Sequence, residues 1–203
     1  MAPLPRALYL ILAFATLAPA GRVRAQVRAP VRAPPGSDLE LQAVPLPDTS
    51  SVRLDGRLSE GFWADVPVIS DFTQQDPQEG AAPSERTEIR VVYDQDALYI
   101  GAMLYDDPDG ILAYQKRRDR GLGTDDRFMW ILDTFRDGRT GYFFEINANG
   151  LMGDGLIGGG GGQRVNKSWD GIWEAHVDRL PDGWSAEIRI PFQTLNFDPE
   201  DDT

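Results

Sequence analysis

The sequence predicts an all-β protein, an antiparallel β-sandwich of jelly-roll type with short peripheral helical turns. Three observations predict it. Short apolar stretches recur with strand alternation, turn signals separate them, and no long stretch carries helical periodicity. Taken in order, "TEIRVVYD" is the first clear strand. "ALYIGAMLYD" follows across the short Gln95-Asp96 link, with Leu98, Ile100, Ala102 and Leu104 on one face, so the two form a hairpin. "RFMWILDTF" is apolar on both faces and should be a central strand covered on both sides. "GYFFEIN" and "LMGDGLI" flank Asn149-Gly150, the strongest short hairpin signal, with Asn149 expected at positive φ. "IWEAHVDR" and "GWSAEIRI" flank Leu180-Pro181-Asp182. In the latter, Trp184, Ala186, Ile188 and Ile190 share one face, while Ser185, Glu187 and Arg189 share a face expected to be wet.

The peripheral elements are less regular. In "SVRLDGRLSEGFWADVP" a turn falls at Asp55-Gly56, and Ser59 is placed to cap a short helix carrying Phe62 and Trp63. This piece is expected to seal the bottom of the core. "ILAYQKRRDRG" reads equally as strand or helical turn, and "IPFQTLNF" as a turn of helix with Pro191 at its first position.

Domain organisation follows from composition. Residues 1–25 read as a secretory signal peptide: Arg6, then the apolar "ALYLILAFATLA", then the small-residue sites Ala18-Pro19-Ala20 and Val23-Arg24-Ala25. Cleavage before Gln26 is preferred, and the apolar run is short for a bilayer span. Residues 26–50 are rich in Pro, Ala and Arg, with Val-Arg-Ala recurring at Val23, Val27 and Val31. They read as an extended linker without a core. The sandwich is expected over 51–203. The protein is therefore expected to be exported: periplasmic, outer-membrane-associated or secreted.

Charge and residue usage exclude several functions. The 203-residue chain has a net charge of −12. Leader removal leaves 17 basic against 32 acidic residues, a charge of −15. Nucleic acid and anionic membrane surfaces are poor partners for such a surface. There is no cysteine, which excludes disulfides and thiolate metal sites. The single histidine, His176, falls on the polar face of its strand and is expected to be exposed.

The candidate site residues lie in loops. Asp125 and Asp126, near Asp119, can coordinate calcium, bind sugar hydroxyls, or cap their loop and pair with Arg117, Arg118 or Arg120. Asn147, with Glu145, points away from Phe144 and Ile146. The two can line a polar groove or meet solvent, and solvent is the preferred partner. Trp63, Trp130 and Trp184 sit in apolar patterns and are expected in the core. Trp169 and Trp173, in "NKSWDGIWE" after a glycine run at 158–162 read as a mobile loop, place aromatic faces among polar groups. Trp169 is the better stacking candidate, its alternative being a rim ring folded over the sandwich edge. The glycine run lacks the Gly-Lys-Ser/Thr ending of a phosphate loop.

Four motifs in one order resemble a known family: "LDGRLSEGFWADV", "VVYDQDALYIGAMLYDDP", "DDRFMWILDTFRDGRTGYFFEINANG" and "GWSAEIRIPFQTLNF". Together, over roughly 51–197, they are similar to a family 9 carbohydrate-binding module. The nearest likeness is to the version at the front of large secreted or outer-membrane bacterial proteins, where a β-barrel-like region follows. The resemblance implies an antiparallel sandwich that binds polysaccharides such as xylan or cellulose. It also implies structural calcium, attachment to glycoside hydrolases, and a role in carbohydrate catabolism. On this reading Trp169, Trp173, Asn147, Arg117 and Arg118 contact the sugar, and Asp125 and Asp126 hold the metal. One departure stands at the most informative position. Sugar-binding members carry a Trp just before a motif like Asp-Ser-Val-Glu-Ile, whereas here the run is Asp126-Arg127-Phe128-Met129-Trp130, with Met129 at the Glu position and no preceding Trp.

Catalysis is not expected of this chain. A glycosidase needs two carboxylates about 5 to 9.5 Å apart across a cleft, and the sequence identifies no such pair and no Gly-x-Ser-x-Gly nucleophile motif. O-glycosyl hydrolase activity would belong to an attached domain. The alternative expectation is a structural module that docks on its own barrel or an envelope partner and binds no sugar.

Overall fold

A computed structural model describes residues 42–47, 50–118, 121–158 and 165–197, together with the backbone of 9–12. The expectations for the cleavage sites, the Val-Arg-Ala triplets, Asp119, Arg120, most of the glycine run and the last six residues lie outside these.

In chain order the strands are β1 (Tyr9–Leu12), β2 (Val44–Pro45), β3 (Thr87–Tyr93), β4 (Ala97–Tyr105), β5 (Arg127–Asp133), β6 (Gly141–Asn147), β7 (Met152–Ile157), β8 (Val165–Asn166), β9 (Glu174–Leu180) and β10 (Gly183–Pro191). They form two five-stranded sheets, β1-β5-β6-β7-β8 and β2-β3-β4-β10-β9. All pairings are antiparallel except β2 with β3. This is the all-β sandwich the alternation predicts. Its core lies between the sheets, where Phe128, Trp130, Leu132, Phe144 and Ile146 meet Ile89, Ile100, Ala102, Trp184 and Ile188.

The turns follow from local chemistry. Between β3 and β4, Asp94 Oδ1 accepts the Asp96 and Ala97 N–H groups, both at 2.8 Å, closing an Asx turn. Between β6 and β7 the positive φ belongs to Gly150 (77°), not to Asn149, because the chain uses a three-residue connection. The Gly150 N–H donates to the Asn147 carbonyl and the Asn147 N–H to that of Leu151, so only the last loop residue must turn left-handed.

Four further expectations are corrected. The centre of its sheet is β6, buried along its whole length, while β5 lies one strand further out with a half-buried outer face. Ser59 caps no helix: residues Gly61–Ala64 form a 3-10 turn with Glu60 at its N-cap and no side-chain cap. That turn does not seal the main core. It lies on the outer face of the second sheet, where Trp63, Val66, Val92, Ala97 and Tyr99 form a separate apolar cluster. Order also begins earlier than residue 51, since Val44 and Leu46 pack against this cluster.

The same covering segment explains why two of the three polar-face residues of β10 are dry, while Arg189 stays half-buried. Ser185 and Glu187 are both buried. Glu187 Oε2 accepts the N–H groups of Asp55 (2.9 Å) and Gly56 (3.0 Å), its Oε1 accepts Trp63 Nε1–H (3.2 Å), and Ser185 Oγ donates to the Gly56 carbonyl (2.6 Å). Gly56 is required there on two counts. Its φ is 85°, and a Cβ would lie 2.5 Å from the Val177 carbonyl carbon. Among the described residues no helix is long and apolar enough to cross a membrane.

Candidate functional site

The loop between β4 and β5 is held from beneath by the acidic and amide side chains that the sequence singles out. Its 111–116 portion is irregular, neither strand nor helix. Asp126 and Leu112 bond reciprocally: Leu112 N–H donates to Asp126 Oδ2 (2.6 Å) and Asp126 N–H to the Leu112 carbonyl (2.8 Å). Asp125 Oδ2 accepts Gln115 N–H (3.0 Å) and Asn147 Nδ2–H (2.9 Å), and Thr124 Oγ donates to Oδ1 (3.2 Å). Asn147 Oδ1 in turn accepts the N–H groups of Asn149 and Leu151. Asn149 Nδ2 donates to the Ala113 carbonyl (2.8 Å). Asn147 is thus fully buried between the β6–β7 turn and Asp125, not solvated as expected, because its amide satisfies both at once.

The two neighbouring carboxyls titrate in opposite directions. Burial pushes Asp125 up, but hydrogen bonds from Gln115, Asn147, the Tyr114 backbone and Thr124 together outweigh it and hold the group below its usual value. Burial raises Asp126, against the single Leu112 bond and with the Asp125 charge adding to the rise.

This donor-loaded arrangement does not fit calcium, which needs six to eight oxygen ligands. Both oxygens of Asp125 and Oδ2 of Asp126 already carry N–H or O–H donors, and among the described residues no group of three His, Cys, Asp or Glu side chains could hold an ion. EDTA is therefore expected to leave the melting temperature unchanged. Asp125→Ala, which strips a buried amide and two loop donors of their acceptor, should cost about 2–3 kcal/mol in a denaturant titration. A drop in melting temperature after EDTA, reversed by calcium, would contradict this geometry.

A second group lies where β7 meets the 167–173 loop. Asp154 pairs with Phe144 in register and so points to the core side of its sheet. Its Oδ2 accepts Trp173 Nε1–H (2.7 Å) and Arg118 Nη2–H (2.9 Å), and Arg118 Nη2 reaches Asp170 Oδ1 (2.9 Å) as well. Trp173 is buried, edge-on to Trp130 and Phe144 at ring-centroid distances of 5.6 and 5.2 Å. It is a core ring and offers no face to a ligand; β9 begins after it, at Glu174. Trp169 is half-buried. Its ring tilts against Tyr142 at 5.1 Å and meets Phe144 edge-on, so it is the rim ring folded onto the sandwich edge and not a free platform. On the outer face of the same sheet, Glu145 is fully buried under Arg127 (2.6 Å) and Lys167. His176 is exposed, as its alternation predicts.

The structure thus divides the candidates. Arg118 and Trp169 share one rim, Asn147 supports the loop from below, Trp173 is interior, and Arg117 lines a shallow groove with Tyr114, Gln115, Lys116 and Gly121. Tyr114 is the residue that sequence reasoning missed. It is 69% exposed, the most exposed large aromatic among the described residues. The signal was present: an aromatic in a polar, non-periodic stretch, "LAYQKRR", the same criterion that selected Trp169. Gln115, fixed through Asp125 to Asn147, anchors the groove beside it.

No protein-family model and no curated protein matches this sequence. Among the solved structures similar to it are two of a carbohydrate binding module family 9 from Caldicellulosiruptor kristjanssonii. The one in complex with glucose is 19% identical, with a TM-score of 0.50, over 74% of this chain and 68% of that chain. The one in complex with cellotriose is 20% identical, with a TM-score of 0.47, over 73% of this chain and 65% of that chain, just under two thirds of its length. At such identity the glucose-bound structure establishes a shared fold, the family 9 module-like sandwich that the four motifs imply.

Proposed function

We propose that this chain is a non-catalytic carbohydrate-binding module of an exported protein, taking a polysaccharide such as xylan or cellulose and serving carbohydrate catabolism. Any O-glycosyl hydrolase activity belongs to an attached domain. The observation that carries the reading is the groove at Tyr114 on a module-like sandwich whose solved counterparts hold glucose and cellotriose. A sugar ring presents an apolar C–H face and a belt of hydroxyls. An exposed phenol ring can take the face while Gln115, Lys116 and Arg117 donate to the hydroxyls, the mixture typical of small-ligand sites. Arg118 and Trp169 extend this polar, aromatic rim beyond the groove.

Export is supported by the leader composition, and the charge of −12 supports a neutral polar ligand over nucleic acid. Affinity electrophoresis in gels containing soluble xylan or hydroxyethylcellulose provides a first test. Retarded migration is expected in at least one polysaccharide gel. Unretarded migration in every gel would favour the module that docks on its own barrel or an envelope partner, with Tyr114 an ordinary surface ring.

A further inference from the structure

The loop between β4 and β5 carries three cations in a row, Lys116, Arg117 and Arg118, in a chain whose net charge is −12. Elsewhere in the sandwich the cations find acids. Arg57, Arg86, Arg90, Arg127, Lys167 and Arg189 each meet a carboxylate. Arg118 is likewise committed, to Asp154 and Asp170. Lys116 and Arg117 are different. Both are exposed, and among the described residues neither has a carboxylate partner.

The two acids beneath the loop do not neutralise them. Asp125 accepts from Gln115 N–H, Asn147 and Thr124, and Asp126 accepts from Leu112 N–H. With Asn149 on the Ala113 carbonyl, these hooks hold residues 112, 113 and 115 from below. The ring of Tyr114 and the side chains of Lys116 and Arg117 are left in solvent. The groove that they line with Gln115 and Gly121 contains no acidic side chain.

An exposed ring beside two such cations suits a particular ligand. A neutral sugar uses the ring and leaves the charges hydrated. A sugar with a carboxylate uses both. A guanidinium matches a carboxylate through two parallel N–H···O bonds, and charge-assisted bonds are about twice as strong as neutral ones. The rest of the surface limits how much charge the ligand can carry. Screening acts over about 10 Å at 0.1 M salt. A single carboxylate in the groove therefore senses mainly Lys116 and Arg117, whereas a dense polyanion extends into the repulsive field of the acidic surface.

We propose that the groove at Tyr114 selects an acidic sugar, a uronate borne on an otherwise neutral polysaccharide, with Tyr114 against the sugar ring and Arg117 and Lys116 on its carboxylate. This rests on the sugar-binding reading of the same groove and names the class of its ligand.

The test compares matched ligands by isothermal titration: xylotetraose with and without one glucuronate branch, and cellotetraose with and without one C6 carboxylate. In at least one pair the acidic member should bind about three- to tenfold tighter at low salt. Its methyl ester should lose that advantage, as should the acid itself at high salt. The Lys116→Gln, Arg117→Gln double variant keeps a hydrogen-bond donor at both positions and removes the charges. It should bring the ratio of the two affinities to about one. The ester comparison uses the unmodified protein, so it decides the matter even if the variant folds poorly. Equal affinities within both pairs, or an advantage that survives in the ester or the folded double variant, would overturn this inference and leave the sugar-binding reading standing. Tighter binding of tetragalacturonate than of the singly charged ligands would overturn the assignment to sparse charge. No binding of any member would overturn both this inference and the reading beneath it.

Discussion

Trp130→Ala is expected to destabilise the sandwich by about 3–5 kcal/mol, the range for deleting a fully buried aromatic ring. The ring is completely buried. It stacks between Phe128 (4.9 Å, 22°) and Phe144 (5.4 Å, 13°) and receives Trp173 edge-on at 5.6 Å. Stacked and edge-to-face pairs each add about 0.5–1.5 kcal/mol beyond burial, and Phe128 and Phe144 lie on paired strands whose backbone resists collapse into the void. For a chain of this size the loss corresponds to a melting-temperature drop of roughly 6–20 °C. Trp169→Ala, removing a half-buried rim ring, should cost only about 1–2 kcal/mol. Chemical denaturation of the two variants checks the order. Equal losses would mean that the aromatic stack is not the centre of the core.

The second large effect is a pH dependence centred on Glu187. Burial raises its carboxyl from 4.5 to about 7, against the opposing hydrogen bond from Asp55 and with the Glu60 charge adding to the rise. The folded state therefore binds the proton more tightly than the unfolded state. Stability from this group is full below pH 4.5 and falls as pH climbs from 4.5 to 7, by an amount on the order of 3 kcal/mol. Glu187→Gln keeps an acceptor for the Asp55 and Gly56 N–H groups but cannot ionise. Across pH 4.5–7, stability measured by denaturant titration should fall more steeply in the unmodified protein than in the variant, whose remaining slope comes from the raised carboxyls of Asp126, Asp106 and Glu85. Parallel curves would show that the strap over β10 does not depend on the charge of this group. Asp125 does not obscure the result. Its lowered carboxyl contributes stability that is lost only as pH falls below the ordinary aspartate range.

The strands and their inner faces were legible because alternation at period two is a local signal. Trp184, Ala186, Ile188 and Ile190 can be assigned to the core without knowing what they meet. What covers the other face was not legible. Glu187 reads as a wet-face residue, yet the Asp55–Gly56 turn that buries it comes from 131 positions earlier in the chain. Asn147 failed for the same reason, its burial depending on Asp125 and the β6–β7 turn together. Trp173 looked like a polar-loop ring because its partner Asp154 is a charged residue that the pairing with Phe144 turns inward. Asp125 and Asp126 were found as a pair, but their role as loop hooks depends on donors ten and fourteen residues away. Tyr114 meets the same local criterion as Trp169, an aromatic among polar residues, and which of the two rings stays exposed depends on contacts that the local pattern does not carry.

The central claim, that this sandwich reads sugar through the groove at Tyr114, is tested most directly by isothermal titration. Xylo- and cello-oligosaccharides would be titrated into the unmodified protein and into Tyr114→Ala. The exposed ring contributes little to folding, so the variant should melt with the unmodified protein while losing at least about tenfold in affinity, or 1.4 kcal/mol. Equal affinities in the two proteins would contradict the placement of the site. Absence of binding by the folded, unmodified protein to every oligosaccharide would contradict the function itself.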